Sequence, residues 1–170
     1  MSEFCSLYKS PVGKLILKSS GHALTKLDFA DDSDITESKC AELPVFTETI
    51  RWLDVYFSGG IPDFMPETEL HGSEFQLTVW KMLAEIPHGQ LVTYGDIASA
   101  IARERGIGRM SAQAVGGAVG RNPISIIIPC HRVVGRGGKL TGYTGGLDKK
   151  CGLLETEGFI IENGRVKYPY

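Results

Sequence analysis

Residues 126–138, IIIPCHRVVGRGG, set the tightest limit on how this chain can fold. Three isoleucines and a proline lead into one thiol, one imidazole and one guanidinium, and a glycine-rich turn follows at once. An apolar run of this kind asks to be buried, and it carries Cys130, His131 and Arg132 inward with it. Buried polar groups are costly unless they are hydrogen-bonded and matched in charge. The stretch therefore reads as a thiol held at the floor of a site rather than as plain core. A free cysteine titrates near about 8.5, so a nucleophilic role needs a base or a positive charge close by. His131 and Arg132 are groups of both kinds. On an extended backbone, however, adjacent side chains point to opposite faces, so a bridging water between Cys130 and His131 is the natural expectation.

The remainder of the chain can bury such a floor. With 170 residues, 42% of them hydrophobic, there is material for one medium domain or two small ones. No run of about 18 apolar residues is present to span a bilayer. The N-terminus MSEFCSLYKSPVG also lacks the basic-then-apolar pattern of an export signal, so a cytoplasmic protein without membrane contact is expected. Cys5, Cys40, Cys130 and Cys151 show no C-x-x-C spacing, and the histidines complete no zinc pattern. Free thiols, no metal and no cofactor are the expectation, with Cys5, His22, Cys40 and His71 able to meet at a metal only if folding happens to gather them.

The net charge of −2 hides a strong asymmetry. Residues 1–87 carry 7 Lys and Arg against 14 Asp and Glu, whereas residues 88–151 carry 9 against 3. The basic stretch is the one that contains Cys130, which suggests a polyanion docking near the thiol; a solvated basic face is the plainer alternative.

Pattern along the chain predicts an α+β protein. Short β-prone runs from Phe4 to Phe29, broken at Pro11-Val12-Gly13 and Ser20-Gly21, read as a meander, and DDSDITESK (31–39) as an acidic loop. A helix is predicted over Pro44–Phe57, closed by Ser58-Gly59-Gly60, and residues 61–72 read as a linker. The boundary between an N-terminal domain (1–72) and a C-terminal one (73–170) is expected there. Ser73-Glu74-Phe75-Gln76 is a capping box opening a helix with Phe75, Val79, Met82, Leu83 and Ile86 on one face. Thr93 to Asp96 opens a second helix, and Ser111 caps a third, SAQAVGGAVG, an order compatible with a helix-turn-helix. That third helix has almost no side-chain bulk, so something must approach it closely: a neighbouring helix or a DNA groove. A glycine-rich wing, a last helix from Leu147 to Glu157, and a hairpin turning at Asn163-Gly164 complete the chain.

The segments NPISIIIPCHRVVG, GYTGGL, VTYGDIA and AVGGAVGRNP together resemble the O6-alkylguanine-DNA alkyltransferase family, whose members move an alkyl group from guanine O6 in DNA to their own cysteine. SPVGKLIL and YFSGG extend the resemblance loosely into the N-terminal part. The resemblance implies a ribonuclease-H-like N-terminal domain packed on a winged helix-turn-helix C-terminal domain. It implies that Cys130 is the alkyl acceptor, that His131 takes its proton through a water, and that Glu157 holds the imidazole. Asn122 would brace the turn beneath the site, and Tyr94 would donate toward guanine N3. Tyr143 and Thr144 would contact the flipped base while the Val133 backbone reads its exocyclic amine. The third helix would enter the minor groove of double-stranded DNA, with Ser111, Ala112, Gln113, Ala114, Gly116 and Arg121 toward it. A monomer that reacts once is implied, with O6-alkylguanine as the lesion and O4-alkylthymine as an open second candidate. Gln113 departs from the family's usual arginine, which fills the hole left by the extruded nucleotide; glutamine can still hydrogen-bond there but lacks the charged planar fork. Two rivals remain at this point: a cysteine hydrolase built on a Cys-His dyad, and a non-catalytic winged-helix lesion binder, a class that lacks the acceptor cysteine.

Overall fold

The computed structural model describes residues 4–31 and 39–167, which divide into two compact units. The first comprises the chain up to Leu70 together with Pro123–Ser125; the second comprises His71–Asn122 and the chain from Ile126 onward.

In the first unit, β1 (Phe4–Ser10), β2 (Gly13–Ser19) and β3 (Leu24–Phe29) form an antiparallel meander, as the turn residues predict. Central β2 buries Leu15, Ile16 and Leu17 in succession, since both its faces are covered, so its apolar residues need not alternate. A fourth strand, β4 (Lys39–Cys40), pairs parallel with β1. Lys39 is thus sheet rather than the end of an acidic loop; the other residues of that predicted loop, apart from Asp31, lie outside the described ones. Helix α1 (Pro44–Phe57) has the predicted bounds, opened by a proline at its first position and buried through Val45, Phe46, Thr49, Trp52, Leu53 and Tyr56. The predicted linker is partly pinned: Leu24 donates to the Glu67 carbonyl at 2.8 Å, and Glu69 donates back to Leu24 at 2.9 Å. Residues 123–125 add to the same sheet, with Leu27 donating to Pro123 and Ser125 to Leu27.

The second unit starts with α2 (Glu74–Ala84), whose capping box is complete: Gln76 N–H donates to Ser73 Oγ, and Ser73 N–H donates to Gln76 Oε1. Its buried face carries Val79, Trp80 and Leu83; Phe75 and Met82 are only partly covered. Trp80 takes the central place because its indole N–H donates to the Ala118 carbonyl of α4 (Ala112–Gly120) at 2.9 Å. Between them, α3 (Tyr94–Glu104) is held by a second capping box, Thr93 with Asp96, and buries the predicted Ile97, Ala98, Ile101 and Ala102. A short parallel pair, β5 (Val92–Thr93) with β6 (Val133–Val134), ties the start of α3 to the chain just after the Cys-His-Arg triplet.

Beyond β6 the wing turns through Gly137 and Gly138, and α5 (Leu147–Thr156) leads to the hairpin β7 (Ile160–Glu162) and β8 (Arg165–Lys167). Asn163 and Gly164 both have positive φ, the conformation of a type I′ turn. Val134, Leu140, Leu154, Phe159 and Val166 form the core of this end, with Cys151 against it. Gly138 has φ +74°, and a Cβ there would stand 2.7 Å from the Val166 carbonyl oxygen. Gly138→Ala is therefore expected to lower stability by about 1–3 kcal/mol, measured as a shifted urea midpoint; an unchanged midpoint would show that the wing can move away.

Candidate active site around Cys130

The isoleucine run is a buried turn rather than a strand. Ile126 adopts φ +71°, rare for a β-branched residue, and is fully buried. Pro129, at φ −81° and ψ 65°, sits at the centre of an inverse γ-turn closed by the Cys130 amide donating to the Ile128 carbonyl at 2.8 Å. Asn122 Nδ2 donates to the same carbonyl at 2.8 Å and braces the turn from below. Cys130–Arg132 then form one short 3₁₀ turn, not the extended segment expected from sequence. Successive side chains there diverge by about a third of a turn rather than half. Cys130 is 5% exposed, and no metal-competent group of three His, Cys, Asp or Glu occurs among the described residues.

The expected pairing of His131 with Glu157 is present. Nε2 and Oε1 are 2.6 Å apart, both side chains fully buried. Arg132 also donates to this carboxylate, through Nε at 3.1 and 3.0 Å and Nη2 at 2.9 Å, and the Gly89 amide donates at 3.2 Å. Burial by itself would raise the Glu157 carboxyl, but the hydrogen bonds from His131 and Arg132 and the guanidinium charge outweigh it and hold it well below the usual carboxylate range. Burial pushes the His131 imidazole below its ordinary value, against the pull of Glu157. A carboxylate facing Nε2 places the ring hydrogen there, which makes Nδ1 the basic nitrogen.

Both groups thus titrate lower in the folded chain than their ordinary 6.5 and 4.5. The unfolded chain takes up each proton at the higher pH, so stability is full above about pH 6.5 and falls on acidification, through His131 first and Glu157 below about pH 4.5. Urea midpoints at about pH 7.5 and 5.5 check this; an equal midpoint at the lower pH would contradict it.

A group that the sequence reading missed completes the surroundings. Lys150 in α5 is 0% exposed, and its Nζ donates to the Val133 carbonyl at 2.6 Å and to Thr141 at 3.3 Å. Burial brings its pKa down to about 8, while charge on Cys130 pulls the other way. The signal was in the spacing: Lys150, Leu153 and Leu154 share one face of α5. Lys150 Nζ lies 6.0 Å from the ring centroid of Tyr94, which is half-buried and whose pKa burial raises. Val133, offered as a backbone reader, thus already uses its carbonyl for Lys150, leaving one lone pair.

The remaining sequence candidates separate. Thr144 donates to the Gly120 carbonyl at 3.0 Å, tying its loop to the end of α4, and Tyr143 is partly buried in that loop. Ser111 spends its hydroxyl oxygen capping α4, accepting from Ala114 N–H. Ala112, Gln113, Ala114 and Arg121 are exposed. Gly116 instead faces the Tyr94 ring, where a Cβ would sit 3.7 Å away, so packing inside the unit accounts for it. Gly120 opens onto empty space, and Gly117 meets only the Arg121 side chain. Cys151 packs on the core, and burial pushes its thiol up, away from reactivity.

Comparison with known proteins decides the lineage. Residues 4–69 match the ribonuclease-like domain, and residues 74–159 the DNA binding domain, of 6-O-methylguanine DNA methyltransferase. The chain belongs to the 6-O-methylguanine DNA methyltransferase family. A methylated-DNA–protein-cysteine methyltransferase of Mycobacterium leprae is 44% identical over 156 residues, spanning 90% of this chain and 91% of its own length. Another from Methanosarcina acetivorans is 39% identical, over 91% of this chain and 98% of its own. The crystal structure of Mycobacterium tuberculosis OGT in complex with DNA superposes with a TM-score of 0.76 at 40% identity, covering 92% of each chain. The α+β fold class read from pattern and resemblance is that of these methyltransferases.

Proposed function

We propose that this chain repairs DNA by moving a methyl or larger alkyl group from guanine O6 to its own Cys130, once per molecule. The observation that carries this reading is Cys130 itself, buried in the same 3₁₀ turn as an imidazole whose Nε2 is held by a carboxylate. His131 Nδ1 takes the thiol proton through a water. The thiolate sulfur attacks the alkyl carbon in line with the carbon–O6 bond; a carbon–sulfur bond forms, and the departing electron pair goes to guanine. Tyr94 donates toward guanine N3 and offsets that charge, while Lys150 places a cation near the sulfur before transfer. A thioether has no easy leaving group, so the product is final.

The alkylated base must leave the stack to reach a buried sulfur. The exposed side of α4, with Gln113 near its start, Gly117 meeting only the Arg121 side chain and Gly120 open, suits close approach to a minor groove, and the basic character of residues 88–151 suits phosphates. Tyr143, Thr144 and the second lone pair of the Val133 carbonyl are proposed to meet the flipped base, and the protein to act as a monomer. The test is to incubate the protein with a duplex carrying O6-methylguanine and weigh it intact. A gain of one methyl, mapped to the Cys130 peptide, supports transfer; tight binding with unchanged mass selects a lesion binder instead.

A further inference from the structure

We propose that Arg132 is a positioning residue for the alkyl transfer: by sharing the Glu157 carboxylate with His131, it keeps the imidazole neutral at rest and able to accept the thiol proton. The Glu157 carboxylate collects four donor groups, namely His131 Nε2, Arg132 Nε, Arg132 Nη2 and the Gly89 amide. Arg132 Nη1 is fixed in turn on the Ile86 carbonyl at 2.6 Å, so the guanidinium cannot swing away from the pair. The Arg132 side chain is 9% exposed, and His131 and Glu157 are fully buried.

Charge balance follows from that enclosure. With neutral His131 the cluster holds one carboxylate and one guanidinium, the arrangement that buries least net charge. Without Arg132 the same buried carboxylate would be neutralised from within by a proton taken either by itself or by His131, and the imidazole, the more basic of the two, takes it first. An imidazolium cannot take the thiol proton. Among the described residues the charges acting on His131 are Glu157 at the C-terminal end of α5, Lys150 within α5 and Arg132 from its own turn, where Cys130 is the adjoining titratable group. Lysine could not replace this arrangement fully, because the fork engages both carboxylate oxygens and the Ile86 carbonyl at once.

Two readouts test the proposal, only one of which rests on alkyl transfer being the function. Single-turnover transfer to O6-methylguanine duplex is followed from about pH 5 to about pH 8, and the His131 ring protons are titrated by NMR in the free protein. In Arg132→Gln the acid limb of the rate and the His131 midpoint both move upward by about one pH unit or more, a tenfold loss of rate on the limb. Arg132→Lys keeps the charge and holds both within about half a unit of the unmodified chain. Should Arg132→Gln lower the rate plateau or the melting temperature while leaving limb and midpoint in place, Arg132 is a structural brace and the proposal is wrong. If Arg132→Gln does not fold, Arg132→Lys decides, since an upward shift of a full unit with the charge retained contradicts charge sharing. An unmodified chain that transfers no alkyl group would sink the proposed function, yet the NMR midpoints would still judge Arg132.

Discussion

A Cys130→Ser variant is expected to bind duplex DNA containing O6-methylguanine and never to gain a methyl group. The exchange alters one atom in a turn fixed by Pro129 and by the hydrogen bonds of Asn122 Nδ2 and the Cys130 amide to the Ile128 carbonyl. The fold should therefore survive, with a stability change of no more than about 2 kcal/mol. Chemistry should not survive. A hydroxyl is far harder to ionise than a thiol and is a harder, poorer nucleophile toward an alkyl carbon, so the transfer rate should drop at least about a thousandfold. Intact mass after prolonged incubation, beside a gel-shift titration, separates the two effects. Lesion removal that persists in the serine variant would place the acceptor elsewhere.

Glu157→Ala is expected to damage both stability and rate. The carboxylate is the common acceptor for His131, Arg132 and the Gly89 amide, and it sits at the end of α5 with no exposure of its side chain. Its removal leaves a nearly buried guanidinium with the Ile86 carbonyl but no counter-charge. Breaking one side of a buried ion pair costs about 3–5 kcal/mol, a large part of the roughly 5–15 kcal/mol that holds a domain together. The imidazole also loses the partner that sets its tautomer, and a misplaced general base costs about 10²–10⁴ in rate. Urea unfolding and single-turnover transfer measure the two losses. A drop of under about 1 kcal/mol would mean that water fills the space and the cluster matters less than its burial implies.

Several elements were legible because their signals are local. The Ser73–Gln76 and Thr93–Asp96 boxes open α2 and α3 where the residues predict, since a capping box is a contact across three residues. Asn163-Gly164 turns the final hairpin for the same reason, its two positive φ angles being cheap for that pair. Strand β4 was not legible: its two residues gain strand character only from parallel pairing with β1, about 35 positions away. The geometry of the triplet was misread as extended, because nothing in I-P-C-H-R signals the 3₁₀ turn that Pro129 and Asn122 impose. In the site, His131 was legible beside the thiol and Glu157 came from resemblance, whereas the importance of Lys150 went unread: two adjacent lysines look alike on paper. One of them, Lys149, is partly exposed beside Asp148, and the other is fully enclosed.

The sequence by itself determined the class of fold, the helices with strong caps, the candidate acceptor thiol and the basic stretch around it, because propensity, capping and composition act over a few residues. Tertiary structure alone decided what surrounds that thiol. Arg132 and Glu157 are 25 positions apart, and Lys150 and Val133 are 17 apart. The lowered pKa values of Glu157 and Lys150 follow from these partners brought together on folding, where burial and neighbouring charge outweigh the intrinsic chemistry of each side chain.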